Sequence, residues 1–404
     1  MKIRQKLVLL HRYFGLVMAG FLIITGLTGS LLVWYQEIDL WINQAEPAQE
    51  ADLALSPLSP FDLRDRVEHA LPDMQVNWML LKSLPDTNLT LFFVEPKTTG
   101  ANKATQSAFN EVFVNRYTGE IVGKRDWGDI TQGWTNFMPF VYRLHQSLTL
   151  GQTGTYILGA ISLLWLIDCF TGLMLTFPLS KNKDKSRLKK WAGFWKVRWA
   201  ATSYKITFDL HTALSLWAWL LLAMFALSSL SMTLYSEVYR PVVSNILTFS
   251  APRTALPVPP GELKDRPEIG WQNGYAIARE LLAQLSQTYD FTVIEHERFA
   301  YYPDQNTLKL MARTSLDAND TFGQTWVFVD ASTGLLKTYS LPTGVAAGDT
   351  FTYWLTTLHI ARIWGLPYRV LVTLTGLFLT IVTLTGLMIW WRKHKAKQQR
   401  SIKK

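Results

Sequence analysis

Four apolar runs govern what this chain can fold into. They extend from Tyr13 to Tyr35, from Thr155 to Phe177, from about Ile206 to Tyr235 and from about Val370 to Trp391. A hydrocarbon layer about 30 Å thick is crossed by roughly 20 helical residues, and every run reaches that length. Inside lipid a backbone must satisfy its own polar groups, so each run predicts a membrane-spanning helix. Of the 404 residues 49% are hydrophobic and 18% charged. The apolar ones gather in the four runs, which excludes a string of ordinary soluble domains. Many of the 17 Trp stand at the borders of the runs, where aromatic belts form.

The net charge of +9 raises the question of nucleic acid, but the cations lie beside the apolar runs. Lys2, Arg4, Lys6 and Arg12 precede the first. Lys181, Lys183, Lys185, Arg187, Lys189, Lys190, Lys196 and Arg198 separate the second from the third. Arg392, Lys393, Lys395, Lys397, Arg400, Lys403 and Lys404 follow the fourth. With four crossings all three groups fall on one face, expected to be the cytoplasmic one. This accounts for the charge without nucleic acid. A basic start and an apolar run also fit a signal peptide, but the run is long for that and no A-x-A-like site ends it. Cys169 is the only cysteine. That excludes a disulfide framework, a cysteine-ligated iron–sulfur cluster and a C-x-x-C-H haem attachment.

The expected organisation is a first helix in 1–36 with its N-terminus inside, an external domain in 37–140 and a second helix in 141–180. A basic loop in 181–203, a third helix in 204–236, a second external domain in 237–350, a fourth helix in 351–391 and a basic tail in 392–404 follow. Both external segments read as α+β. The first offers a helix from Ser59-Pro60-Phe61 to Leu71, then strands at Leu89–Val94, Glu111–Val114 and Ile121-Val122. The second offers a helix near Gly274–Gln287 and strands at Leu308–Ala312, Thr325–Val329 and Leu335-Leu336. In each, an Asn/Asp-x-x-Thr-Gly turn joins two strands as a hairpin. Neither contains a metal-ligand spacing or a nucleophile–base pair.

The chain also aligns with itself. Leu144-His145 meets Leu358-His359 at an offset of 214, Gly151 then meets Gly365, and Thr171-Gly172-Leu173-Met174 meets Thr385-Gly386-Leu387-Met388. Leu10-His11 meets Leu210-His211 at an offset of 200, and Val112-Phe113-Val114 meets Val327-Phe328-Val329 at 215. Helix, external domain and helix are thus expected twice, as a parallel tandem repeat.

Four of the seven histidines, His11, His145, His211 and His359, stand at or just before an apolar run, one for each. A single histidine at a membrane border is as readily an interfacial or packed residue. Ionisable groups on membrane helices, however, mark functional sites. Here they pair by depth: His11 and His211 on the inner side, His145 and His359 on the outer. Helical bundles build cofactor sites from side chains on facing helices, and two imidazoles on opposite sides of a macrocycle are the axial set of a b-type haem. A bare zinc or copper site wants three or four ligands at one depth and fits less well. His69, His296 and His394 read as solvated surface. Asp168, in mid-span, has Val382 as its repeat mate. It is either a proton-coupled group or a structural hydrogen-bond partner.

Leu10-His11-Arg12-Tyr13-Phe14-Gly15, Leu144-His145-Gln146-Ser147-Leu148 with Gly151, Leu358-His359-Ile360-Ala361-Arg362 with Gly365-Leu366-Pro367, and the two Thr-Gly hairpins together resemble the PepSY-associated transmembrane family of bacterial inner-membrane proteins. The resemblance covers almost the whole chain. It implies two PepSY-like periplasmic domains on a four-helix bundle and a link to iron uptake. It also implies the activity of a ferric-siderophore reductase with b haems, two of them by the count of histidines. The cytoplasmic electron donor is then a separate protein, because no Gly-x-Gly-x-x-Gly follows a strand here. Arg12, Arg143 and Arg362 flank the expected ligands and suit haem propionates or, equally, interface anchoring. Trp134, Tyr142, Trp354 and Trp364 line an outer binding surface or belong to the aromatic belt, and Tyr35 and Tyr235 are open in the same way. The loop with Trp191, Trp195 and Trp199 lies on anionic lipid or docks an acidic donor. Two other classes stay open: a transporter working at the repeat interface, and a non-enzymatic sensor or regulator using the external domains.

Overall fold

The computed structural model describes residues 2–43, 56–84, 87–97, 109–178, 186–250 and 265–402. Lys181, Lys183, Lys185, Lys403 and Lys404 lie outside the described residues, as do the side chains of Lys2, Arg187 and Arg400. Contacts divide the chain into two compact units. One comprises Met1–Tyr35, Val141–Ile246 and Trp354–Lys404, the other Gln36–Phe140 and Leu247–Tyr353.

In chain order the helices used below are α1 (Lys2–Leu32), α2 (Tyr35–Ile42), α3 (Pro60–Ala70), α4 (Phe137–Ser147), α5 (Gly151–Thr176), α6 (Ser203–Thr233), α7 (Trp271–Thr288), α8 (Ala347–His359) and α9 (Gly365–Ile402). The strands are β1 (Met74–Leu80), β2 (Leu89–Pro96), β3 (Glu111–Asn115), β4 (Ile121–Arg125), β5 (Val293–Tyr302), β6 (Thr307–Thr314), β7 (Thr325–Asp330) and β8 (Leu336–Ser340).

In the first unit, four helices are long and apolar enough to cross a membrane: Ile3–Leu32, Gly151–Thr176, Ser203–Thr233 and Gly365–Gln399. Even the shortest, at 26 residues, reaches about 39 Å at 1.5 Å per residue, more than the hydrocarbon core requires. Their outward faces carry large apolar side chains, among them Val17, Leu27, Leu220, Leu371 and Leu384, all exposed. Lipid is the solvent that suits such a surface. The helices form a ring in which α1 packs on α5 and α9, and α6 packs on the same two. Hence α1 and α6 occupy one diagonal of the bundle and α5 and α9 the other. Between them Met18, Leu22, Ile161, Ala218, Leu222 and Leu379 make a buried apolar core.

The runs expected as single second and fourth helices, 141–180 and 351–391, are each interrupted. α4 gives way to α5, and α8 to α9, through short turns with residues in the left-handed region: Leu148 (φ 52°), Thr149 (φ 59°) and Gly151 (φ 58°) in the first, Ala361 (φ 55°), Trp364 (φ 58°) and Gly365 (φ 60°) in the second. Four of these six are not glycine, so the turns store local strain, a feature that clusters at functional sites.

In the second unit, all eight strands form one antiparallel sheet in the order β4-β3-β2-β1-β5-β6-β7-β8. Each chain segment contributes four strands, and the two sets are joined where β1 pairs with β5, Trp78 opposite Ala300 and Leu80 opposite Arg298. One buried cluster runs beneath the whole, from Val67, Phe92 and Val114 to Leu282, Phe299, Leu310 and Val327. α3 begins at Ser59, whose side chain accepts from the Phe61 N–H, with Pro60 preset for the first turn. The two hairpins are built alike. Asn115 Oδ1 accepts from the N–H groups of Tyr117 and Thr118, and Asp330 Oδ1 from those of Ser332 and Thr333. Each turn closes on a glycine at positive φ, Gly119 (78°) and Gly334 (76°), a conformation that disfavours any other residue.

Candidate functional site

The bundle brings the four histidines together in two couples. His11 of α1 and His211 of α6 have ring centroids 6.1 Å apart, with planes inclined at 57°. His145 of α4 and His359, the last residue of α8, are 6.2 Å apart, at 63°. His145 and His359 therefore sit on the short helices before the strained turns, and not on the spanning helices themselves.

Each imidazole is held by its Nδ1. His11 Nδ1 lies 2.9 Å from Asp168 Oδ1, His211 Nδ1 2.8 Å from the Val382 carbonyl, His145 Nδ1 3.0 Å from Thr28 Oγ1 and His359 Nδ1 2.7 Å from Ser228 Oγ. The direction of these bonds follows from the acceptors. A carboxylate and a carbonyl can only accept. The Thr28 hydroxyl already gives its hydrogen to the Ile24 carbonyl at 2.7 Å, and the Ser228 hydroxyl gives its own to the Phe225 carbonyl at 3.0 Å. All four Nδ1 atoms are therefore the protonated ones, which leaves the lone pair of every ring on Nε2. Among the described residues no hydrogen bond or ion pair engages Nε2 of any of the four. Locking one ring nitrogen to a protein acceptor so that the other is free to ligate is how metal-binding imidazoles are oriented.

Close glycines fix the rings from the side. A Cβ on Gly29 would stand 3.0 Å from His145 Cε1, one on Gly386 3.1 Å from His211 Cε1, and one on Gly172 3.4 Å from His11 Cε1. Sequence reasoning missed this use of Gly29, and it missed Thr28 and Ser228 as partners. Gly172 and Gly386 were visible only as repeated positions.

The other expected site residues divide. Arg12 is exposed next to His11, whereas Arg143 and Arg362 are half-buried, two residues before His145 and three after His359. Asp168 is a buried partner of His11 and also accepts from Thr171 Oγ1 at 2.8 Å. Trp134 and Trp364 are largely exposed. In the basic loop, Trp191 stacks on Phe177, Trp195 meets Trp191 and Trp217 edge-on, and Arg198 forms a two-pronged bond to Asp209. Trp199 stays open to the surroundings. His69 is exposed and His394 stacks on Trp390. His296 departs from the surface expectation: it is half-buried, with Nδ1 2.9 Å from the Tyr275 hydroxyl.

Among the described residues no group of three or more His, Cys, Asp or Glu is placed to hold a bare metal ion. The chemistry on offer is two separate two-nitrogen sites. None of the curated proteins matches this chain. The model of the family described as "PepSY-associated TM region" matches residues 8–393, nearly the whole length, and the chain therefore belongs to the PepSY-associated transmembrane family.

Proposed function

We propose that this membrane protein is an oxidoreductase of the bacterial inner membrane that holds two b-type haems and reduces ferric chelates, ferric siderophores foremost, on the periplasmic side with electrons from a cytoplasmic donor. The observation that carries the proposal is the spacing and tethering of the two histidine couples. Two imidazoles that share one metal atom between their nitrogens would have ring centres roughly 6 Å apart. The couples at 6.1 and 6.2 Å fit that requirement, and the open Nε2 atoms supply the donors. His11 with His211 would hold one haem, and His145 with His359 the other. Bound there, the haems would supply one-electron carriers at two depths.

The chain's own part is placement. From His11 to Thr28 on α1 is seventeen residues, and from His211 to Ser228 on α6 seventeen again. At 1.5 Å per residue this separates the two tiers by about 25 Å, close to the thickness of the hydrocarbon layer. The apolar core of Met18, Leu22, Ile161, Ala218, Leu222 and Leu379 lies in the space between. Arg143 and Arg362 are suited to anionic groups of a cofactor at the outer couple.

We infer further that the chain is a tandem repeat with two PepSY-like halves. Supporting this, the partners of the outer histidines, Thr28 and Ser228, are themselves 200 residues apart, as are His11 and His211. Asp168 and Val382, the partners of the inner ones, share the 214 offset of His145 and His359. The basic clusters favour cytoplasmic termini.

The test is spectroscopic. Full-length protein from haem-replete cells should be red, with a Soret band that shifts on dithionite and shifts back when a ferric siderophore is added. H145A and H359A should remove one part of that band, and H11A and H211A the other. Colourless wild-type protein would end this reading.

A further inference from the structure

The two tiers are tethered by different groups, and we propose that one of them, the carboxylate of Asp168, orders the tiers. Asp168 holds the site of His11 and His211 at a lower redox potential than the site of His145 and His359, so electrons are biased from the first toward the second. The inference rests on the haem reading above. It makes Asp168 a positioning residue that acts through His11.

Of the four tethering acceptors, Asp168 alone is a carboxylate. The equivalent place in the other half is Val382, which gives His211 only its backbone carbonyl at 2.8 Å, with Thr385 Oγ1 at 3.4 Å. His145 and His359 have hydroxyl oxygens. The Asp168 side chain is 11% exposed, and among the described residues no Lys or Arg pairs with it. Its carboxylate oxygen Oδ1 accepts from His11 Nδ1 and from the Thr171 hydroxyl.

Two effects follow, with the same sign. A carboxylate draws the Nδ1 proton of its imidazole more strongly than a hydroxyl does, which raises the basicity of Nε2 as a ligand. A more basic ligand favours the ferric state. The negative charge itself, in a water-poor place, also favours the more highly charged metal. Both lower the potential of the inner site, and neither operates at the outer one. Haems held by the two couples would supply the one-electron carriers: an electron given up at the site of His11 and His211 would be the one gained at the site of His145 and His359, with a cytoplasmic reductant as its source and the ferric chelate as its acceptor. The parallel repeat relates His11 to His211 and His145 to His359, so it sets no relation between the potentials of the two tiers, and Asp168 supplies a carboxylate to one tier alone.

The experiment is a potentiometric titration of the haem absorbance in full-length wild type, D168N and T171V. The same titration in H145A/H359A protein, which keeps only the inner haem, assigns the steps. Wild type should titrate in two steps, with the inner-only protein reproducing the lower. D168N keeps an acceptor oxygen but removes the charge. It should raise the lower step by at least tenfold in reduced-to-oxidised ratio, about 59 mV for a one-electron couple, and leave the upper step in place. T171V removes a competing donor from the carboxylate and should shift the lower step the opposite way. Opposite shifts are not what a merely structural contact produces. Should D168N fail to retain haem, T171V alone decides. An inner-only protein that titrates at the upper potential, or a lower step that stays put in both variants, would overturn the proposal. Wild-type protein without haem would instead remove the reading beneath it.

Discussion

Gly26 of α1 and Gly376 of α9 meet backbone against backbone: a Cβ on Gly376 would lie 2.6 Å from the Gly26 carbonyl oxygen, and one on Gly26 2.8 Å from that of Gly376. Lipid provides no hydrophobic drive for helix pairing, so close approach of small residues supplies it through dispersion. Ser30 adds a hydrogen bond to the Thr373 carbonyl at 3.0 Å beside the same contact. Gly376→Leu leaves no room for that approach. It is expected to cost about 1–3 kcal/mol, typical of overpacking, and to lower the thermal unfolding midpoint in detergent. A midpoint equal to wild type would mean that α1 and α9 do not depend on this contact.

The hydroxyls that orient the outer histidines make a second prediction. Ser228→Ala and Thr28→Val remove the acceptors of the His359 and His145 Nδ1–H groups without touching Nε2. Losing such partners typically lowers the affinity for a ligated group about 10–100-fold. On the proposed di-haem reading, haem counted per polypeptide after extensive washing should fall from two toward one in these variants. Full retention in both would show that the hydroxyls are incidental.

Glu297 joins the two halves of the sheet. It is 1% exposed, accepts from the Gly323 N–H at 2.7 Å and from Lys82 Nζ at 3.0 Å, and so connects the end of β1 to β5. Lys82 also bonds Glu295 at 2.7 Å. Glu297→Ala strands the ammonium's deeper contact and a buried N–H. Breaking one member of a buried pair costs about 3–5 kcal/mol, reduced here because Lys82 keeps Glu295. Denaturant unfolding of the full chain should register a large loss for E297A and a smaller one for K82M. The reverse order would contradict this account.

The half-buried His296 predicts a pH dependence. Burial pushes its imidazole below the ordinary value of 6.5, and the nearby Arg279 acts in the same direction. The unfolded chain then takes up a proton that the folded chain refuses. The stability contribution is complete above pH 6.5 and is lost as the pH falls through the depressed folded value. Wild type should lose more stability between pH 8 and pH 5 than His296→Gln. Parallel curves for the two would rule the effect out.

The sequence made some of this legible because the signals were local. Ser59-Pro60, Asn115 to Gly119 and Asp330 to Gly334 announce a helix start and two turns through side chains that bond their own neighbours. The histidine couples were legible because position along an apolar helix is depth in a membrane. The central strands were not. Val293–Tyr302 carries Glu295, His296, Glu297 and Arg298 in a row and reads as a polar loop until Lys82, Arg313 and Gly323 arrive to satisfy it. Met74–Leu80 gives a strand signal weakened by Gln75 and Asn77. The helix breaks after His145 and His359 were hidden as well, since Leu148, Thr149, Ala361 and Trp364 are not residues that favour a left-handed backbone. Thr28 and Ser228 look like any hydroxyl on a membrane helix, and only the rotation of α1 and α6 reveals what they face.

The pairing of β1 with β5 has a consequence for how the polypeptide is made. When the ribosome has delivered residues up to Arg125, β2, β3 and β4 can zip together, but β1 presents an open rim of unpaired N–H and carbonyl groups. About 170 further residues, including two passages through the bilayer, must emerge before Val293–Tyr302 arrives to cover it. An uncovered rim of this kind is a template for mispairing with another chain. Newborn molecules therefore pass through an interval of vulnerability that ends only when β5 docks, and a chain truncated before β5 should be a target for proteolysis or clumping instead of a working half-protein.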